Sequence, residues 1–280
     1  MTGVGEARPP ESVVLLHGFS GTRRAWDRVL AELDPQRLRA VALDLPGHGE
    51  IRADGRGGAH GSGARGGRAA AGDPITFDAC VERVLAGAPA RFALCGYSMG
   101  ARIALHVALA APERVSRLVL IGVNPGLEDA DERALRREAD ERLARSLERD
   151  PFEEWIERWR EQPLFDGESP DVRELARADQ RRNDPLRLAA ALRSLGTGEM
   201  APLWDALAQL EMPVVLIAGT RDEKFLAIAR RMATLIPRAQ LVLLDGGHAL
   251  ALEQPAAVAA VLAADEPART PPAGAPAPAR

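Results

Sequence analysis

Apolar residues recur along this chain in two alternating patterns. Nearly unbroken short runs, Val13 to Leu16, Arg39 to Leu43, Phe92 to Cys95, Val115 to Ile121, Val214 to Ala218 and Gln240 to Leu244, have the length of strands covered on both faces. Between them lie segments with helical spacing. Trp26, Val29, Leu30 and Leu33 share one side of RRAWDRVLAEL, and further helices are predicted over Ala101 to Ala110, Phe225 to Leu235 and from Pro255 onward. Strand and helix in strict turn predict an α/β fold with a mostly parallel central sheet and helices on both faces.

Three segments break this rhythm. Glu50 to Gly72 (the 50–72 insertion) is rich in glycine, arginine and alanine and has little that packs, so it reads as a flexible surface loop; its arginines facing an anionic ligand is the lesser reading. Glu128 to Leu210 is charged helical sequence broken around Pro151, Pro163, Pro185 and Pro202, and predicts a helical lid over the carboxyl edge of the sheet. Asp265 to Arg280, rich in proline and alanine, reads as a disordered tail. The organisation expected is a core over 12–122 and 211–264, a lid over 123–210, and those two irregular segments.

Composition narrows the function classes. The 280 residues carry 36 basic and 40 acidic side chains, a formal net charge of −4, with no long single-sign block, so no nucleic-acid footprint is visible. The first residues lack an apolar targeting core, and no apolar run approaches a membrane span, which together predict a cytoplasmic protein without membrane contact. Cys80, within a helical stretch, and Cys95, at a strand end, are the only cysteines and read as ordinary buried thiols in a reducing compartment. The five histidines form no short ligand cluster, so no metal is expected. The oligomeric state is open, a homo-oligomer included.

The chemistry concentrates where a strand runs into Gly96-Tyr97-Ser98-Met99-Gly100 and then into an amphipathic helix. Glycines flank the serine because such a strand-to-helix turn is sharp; it lifts the Ser98 hydroxyl above the sheet edge beside a helix N-terminus. A nucleophile of this kind calls for an acid and then a histidine after later strands. VVLIAGTRD supplies Asp222 and LVLLDGGH supplies His248, with Asp245 as the rival acid. LLHGFSG after the first strand places the backbone N–H of Phe19 opposite that of Met99 as paired oxyanion donors. A phosphate-binding loop is excluded, because neither G-x-x-x-x-G-K-[ST] nor G-x-G-x-x-G follows the first strand. The whole arrangement resembles the α/β-hydrolase fold.

The motifs LLHGFSG, DLPGHG, GYSMGARIAL, NPGL, WREQPLF, SLGTGEMAPLW and GTRDEKF together resemble the 2-succinyl-6-hydroxy-2,4-cyclohexadiene-1-carboxylate synthases of menaquinone biosynthesis, over Val13 to about Val261. The resemblance implies a cofactor-free lyase that eliminates pyruvate from 2-succinyl-5-enolpyruvyl-6-hydroxy-3-cyclohexene-1-carboxylate, with Ser98 and His248 as general base. A serine hydrolase of a small ester, thioester or carbon–carbon bond is the alternative. The resemblance further implies an anionic substrate held by Arg102, Arg136 and Arg181, the last with Arg182 as its one-residue alternative, and covered by Trp159. Tyr97 is a contact or a packing residue; Lys224 and Phe225 also fit the family pattern. Two departures stand out: Ala101 replaces a second elbow glycine, and Ala251 stands where many members carry a second histidine.

Overall fold

A computed structural model describes residues 11–49 and 74–264; the 50–72 insertion and the 265–280 tail lie outside the described residues. Six strands, β1 (Glu11–Leu16), β2 (Leu38–Leu43), β3 (Phe92–Tyr97), β4 (Val115–Ile121), β5 (Val214–Gly219) and β6 (Ala239–Leu244), form one sheet in the order β2-β1-β3-β4-β5-β6. Every described pairing is parallel. The winding direction reverses between β1 and β3. In open parallel sheets such a reversal leaves a crevice beyond the carboxyl ends of the two strands, where ligands bind.

The continuous apolar strands bury both of their faces. Val14, Leu16, Leu94, Leu118 and Leu216 pack one way, against α2 (Phe77–Gly87), α3 (Met99–Ala110) and α8 (Glu223–Leu235). Val13, Leu15, Cys95, Val119 and Ile217 pack the other way, with Trp26 and Val29 around the short α1 (Asp27–Ala31) and with α9 (Leu250–Glu253) and α10 (Pro255–Ala263). The single helix expected over RRAWDRVLAEL is instead a 3-10 turn, Arg23–Trp26, running into the five-residue α1. It ends at Ala31, and Asp34-Pro35 just beyond bars its continuation, since a residue before proline avoids the helical region. Cys80 and Cys95 are free and buried; burial pushes the Cys80 thiol up to about 12 and raises that of Cys95 as well.

Between β4 and β5 the chain leaves the sheet and builds a helical lid: α4 (Ala130–Arg149), α5 (Phe152–Arg160), α6 (Pro170–Gln180) and α7 (Pro185–Leu195). Asp129, Ser169 and Asp184 cap α4, α6 and α7 through their side-chain oxygens, and Pro170 and Pro185 occupy first-turn positions where no N–H is needed. Trp155, Ile156, Leu188 and Leu192 make the lid's own small core, against which Phe19 packs. Among the described residues no helix is long and apolar enough to cross a membrane.

One buried charge ties the end of the core together. Arg117, on β4 and 5% exposed, donates from Nη1 to the carbonyls of Val261 (3.3 Å) and Ala264 (2.7 Å) and from Nη2 to that of Leu262. The last carbonyls of α10 have no helical donors, and a guanidinium also answers the negative end of the helix dipole. Arg117→Met is therefore expected to lower unfolding free energy in urea by about 1.5–3 kcal/mol, the range for hydrogen bonds to a charged group.

Candidate active site

The crevice at the β1/β3 reversal is built by two loops. After β3 the chain turns through Ser98, whose φ of 52° lies in the left-handed region. The turn is possible because its flanking residues lack side chains. A Cβ on Gly96 would lie 2.4 Å from the carbonyl oxygen of Gly100, and one on Gly100 would lie 2.3 Å from that of Leu16. Ala101 is fully buried in the core, so the methyl in place of the second glycine is accommodated there.

Ser98 Oγ lies 3.0 Å from His248 Nε2, and His248 Nδ1 lies 2.6 Å from Asp222 Oδ2. A carboxylate only accepts, so Nδ1 carries the proton and Nε2 is free to accept from the serine. Asp222 also caps α8, its Oδ1 taking the Phe225 N–H at 3.4 Å. One carboxylate oxygen thus serves the histidine and the other the helix N-terminus. Gly122 (φ +57°) lets the imidazole close in: a Cβ there would meet His248 Cε1 at 2.8 Å. The rival Asp245 points outward, its side chain 88% exposed and paired with Arg221. Ala251 is buried beside Leu250 and Val258 in the core, not in the crevice.

The loop after β1 supplies the opposite wall. His17 is fully buried, and the Leu45 N–H donates to its Nε2 at 3.0 Å, so the ring proton resides on Nδ1, which donates to the Gly18 carbonyl at 2.8 Å. Desolvation lowers the His17 pKa and keeps the ring neutral. The Gly21 N–H reaches the same Gly18 carbonyl at 3.2 Å. In a trans peptide, fixing that carbonyl fixes the Phe19 N–H in the opposite direction. Phe19 and Met99 both line the cavity at Ser98.

That cavity, about 180 Å³, is also lined by Arg102, Arg136, Trp159, Lys224 and Phe225, with no aspartate or glutamate among its lining residues. Arg102 donates to the Leu195 carbonyl at 2.6 Å; burial and then the neighbouring Arg136 lower its pKa to about 10, leaving it charged at neutral pH. Arg136 is held from behind by Asp140, whose carboxylate takes its Nε and Nη2 at 2.9 to 3.0 Å. Trp159 stacks on Trp155 at 5.2 Å and meets Phe19 edge-on at 5.1 Å, so its ring is oriented from two sides. A second cavity of about 70 Å³ also opens on Ser98 and His248. Tyr97 lines it, half-buried, with burial raising its phenol pKa.

One expected residue is elsewhere. Arg181 is not in the crevice: it lies on the outer surface, its Nε on Glu153 at 3.0 Å and its Nη1 on Glu174 at 3.0 Å. The turns closing α6 rotate Asp179, Gln180 and Asn183 inward and leave Arg181 and Arg182 exposed, and the two glutamates hold Arg181 there. The cation that does border the second cavity is Arg160, next to Trp159, buried and paired with Glu168 across from the Phe165 ring. Only the turn of α5 could have marked it, since in sequence it is one of many lid arginines. Among the described residues no cluster of His, Cys, Asp and Glu has a metal-holding arrangement.

A serine poised this way is expected to react with an aryl phosphonofluoridate, seen as a mass addition to the intact protein. Ser98→Ala should abolish the addition and His248→Ala slow it about 10²-fold or more, the lower end of a general base's contribution.

Comparison with known proteins places this geometry in a family. Residues 13–261 match the alpha/beta hydrolase family. A putative 2-succinyl-6-hydroxy-2,4-cyclohexadiene-1-carboxylate synthase of Bacillus subtilis (strain 168) is 34% identical over 249 residues, 88% of this chain and 86% of the relative. The synthase of that name from Klebsiella pneumoniae is 34% identical over 253 residues, 90% of this chain and 92% of its own. The structure of MenH from S. aureus superposes with a TM-score of 0.79 at 26% identity, covering 92% of this chain and 93% of that one. The chain belongs to the 2-succinyl-6-hydroxy-2,4-cyclohexadiene-1-carboxylate synthase family of α/β hydrolases.

Proposed function

We propose that this enzyme eliminates pyruvate from 2-succinyl-5-enolpyruvyl-6-hydroxy-3-cyclohexene-1-carboxylate to give 2-succinyl-6-hydroxy-2,4-cyclohexadiene-1-carboxylate, a step of menaquinone biosynthesis. The observation that carries the reading, beside the family, is a Ser98–His248–Asp222 relay opening on a cavity whose charged lining side chains are all cationic.

The names of substrate and product define the electron flow. The ring proton at C2 is lost, the C2–H pair becomes the C2=C3 bond, the C3=C4 pair becomes C4=C5, and the C5–O bond breaks. The leaving oxygen departs as the enolate of pyruvate and is protonated on carbon. The C2 proton is acidic because it lies beside the succinyl ketone. Ser98 acts with His248 as the base that takes it, Asp222 stabilising the resulting imidazolium. The Phe19 and Met99 N–H groups face the ketone oxygen as it gains charge. No acyl group is transferred, so no acyl-enzyme is required.

The substrate carries three carboxylates, and Arg102, Arg136 and Lys224 suit them. Planar guanidinium groups grip carboxylates through paired hydrogen bonds, more strongly where water is thin. Trp159 covers the ring. The second cavity, with Tyr97 and Arg160 in its wall, offers room on the other flank of Ser98 for a substrate arm.

Pyruvate release coupled to a dehydrogenase tests the proposal. Wild-type protein is expected to release pyruvate rapidly, Ser98→Ala to lose about 10³-fold in kcat, and Arg102→Met chiefly to raise KM, by about 10- to 100-fold. Folded wild-type protein that releases none, yet turns over aryl esters with an acyl-enzyme burst, would instead identify a hydrolase.

A further inference from the structure

The Phe19 donor sits in a turn whose own sequence disfavours it. Gly18, Phe19, Ser20 and Gly21 form a turn closed by the Gly21 N–H on the Gly18 carbonyl, and Ser20, in the third position, has φ +60°. Only Ser20 and Ser98 among the described non-glycine residues have positive φ. A third position of this kind favours glycine, and a serine persists there only if its surroundings hold it.

The restraint comes from the lid, about 160 residues away in sequence. At the end of α6, Gln180 Nε2 donates to Ser20 Oγ at 2.8 Å. Asn183 Nδ2 donates to the Ser20 carbonyl at 2.8 Å. The Asp179 carboxylate takes the Thr22 N–H at 2.8 Å and the Thr22 hydroxyl at 2.5 Å. Asn183 Oδ1 also accepts the Gly49 N–H at 2.8 Å, from the loop after β2. All three lid residues are buried, Asp179 at 8%, Gln180 at 3% and Asn183 at 7% exposure, so each bond forms away from water. A second set of fixings, His17 to the Gly18 carbonyl, comes from the core. The core therefore fixes the first peptide of the turn, and the lid fixes the residue after Phe19.

We infer that Gln180 and Asn183 are positioning residues: through Ser20 they keep the turn closed on the Gly18 carbonyl that His17 holds from the core, so that core and lid together keep the Phe19 N–H in register with that of Met99. An enzyme whose lid corner is loosened then keeps its substrate cations but stabilises the developing negative charge less well. This rests on the reading of Phe19 as an oxyanion donor in the elimination.

The test is steady-state pyruvate release by Gln180→Met, which keeps volume and removes the bond to Ser20, and by Asn183→Ala, each checked for folding by circular dichroism and thermal melting. A misaligned donor acts in the transition state, so kcat is expected to fall about tenfold or more while KM changes less than about threefold. Adding Ser20→Gly to Asn183→Ala removes the strain that the lid restrains and is expected to recover at least about threefold of the lost kcat. Adhesion of the lid alone would lower the melting temperature and leave kcat of the folded protein unchanged; that result, or losses that Ser20→Gly does not relieve, would overturn the inference. Ser98→Ala separates the two levels. Full pyruvate release by that variant discards the underlying mechanism, whereas its loss with wild-type kcat in the lid variants discards only the lid's role.

Discussion

The backbone of the Ser98 turn lies against the end of β1 with no room for a single methyl group. Two carbonyl oxygens, of Leu16 and His17, stand within 2.5 Å of where a Cβ on Gly100 would be. This contact brings the loops after β1 and β3 together at the one place where the sheet reverses its winding. Ser98, the Gly18–Gly21 turn and helix α3 take their positions from it. The histidine approaches by a similar device, over the bare backbone of Gly122. Strain at Ser98 is sustained because the surrounding core, with Leu94, Ile103 and Leu120 wholly buried, over-determines it.

Electrostatics divides the crevice between relay and binding wall. Asp222 is spent on His248 and on the α8 N-terminus, so its charge is already matched. Asp140 lies behind Arg136 and aims it without entering the cavity. No carboxylate therefore stands among the cations on the cavity wall itself. Arg102 bears the cost of this arrangement as a lowered pKa, which a bound carboxylate would reverse. A ligand with several carboxylates matches this cationic lining, while a neutral ester would leave the guanidinium groups poorly matched.

The lid borders the site at three places. Trp159 on α5 and Arg136 on α4 line the cavity, and the end of α6 bonds to Ser20 in the turn that carries Phe19. Its charged exterior is a solvated surface laced by pairs such as Arg145–Glu141 and Arg193–Glu148, exposed enough to contribute little each. Arg181 belongs to that exterior.

The sequence by itself determined the strand series, the parallel α/β class, the lid's place between β4 and β5, and Ser98, Asp222 and His248. These are local features: unbroken apolar runs need two covered faces, a strained turn needs glycines at fixed spacing, and each partner follows a strand end. Tertiary structure alone decided which lid polar groups turn inward. In ADQRRND, six polar residues in a row carry no periodic signal, and the end of a helix can rotate by one residue without altering the pattern. The choice fell to partners distant in the chain, with Ser20 and Thr22 drawing in Asp179, Gln180 and Asn183, and Glu153 and Glu174 drawing Arg181 out. The same holds for Ser20, whose left-handed backbone is invisible in HGFSG because what sustains it lies about 160 residues further along the chain.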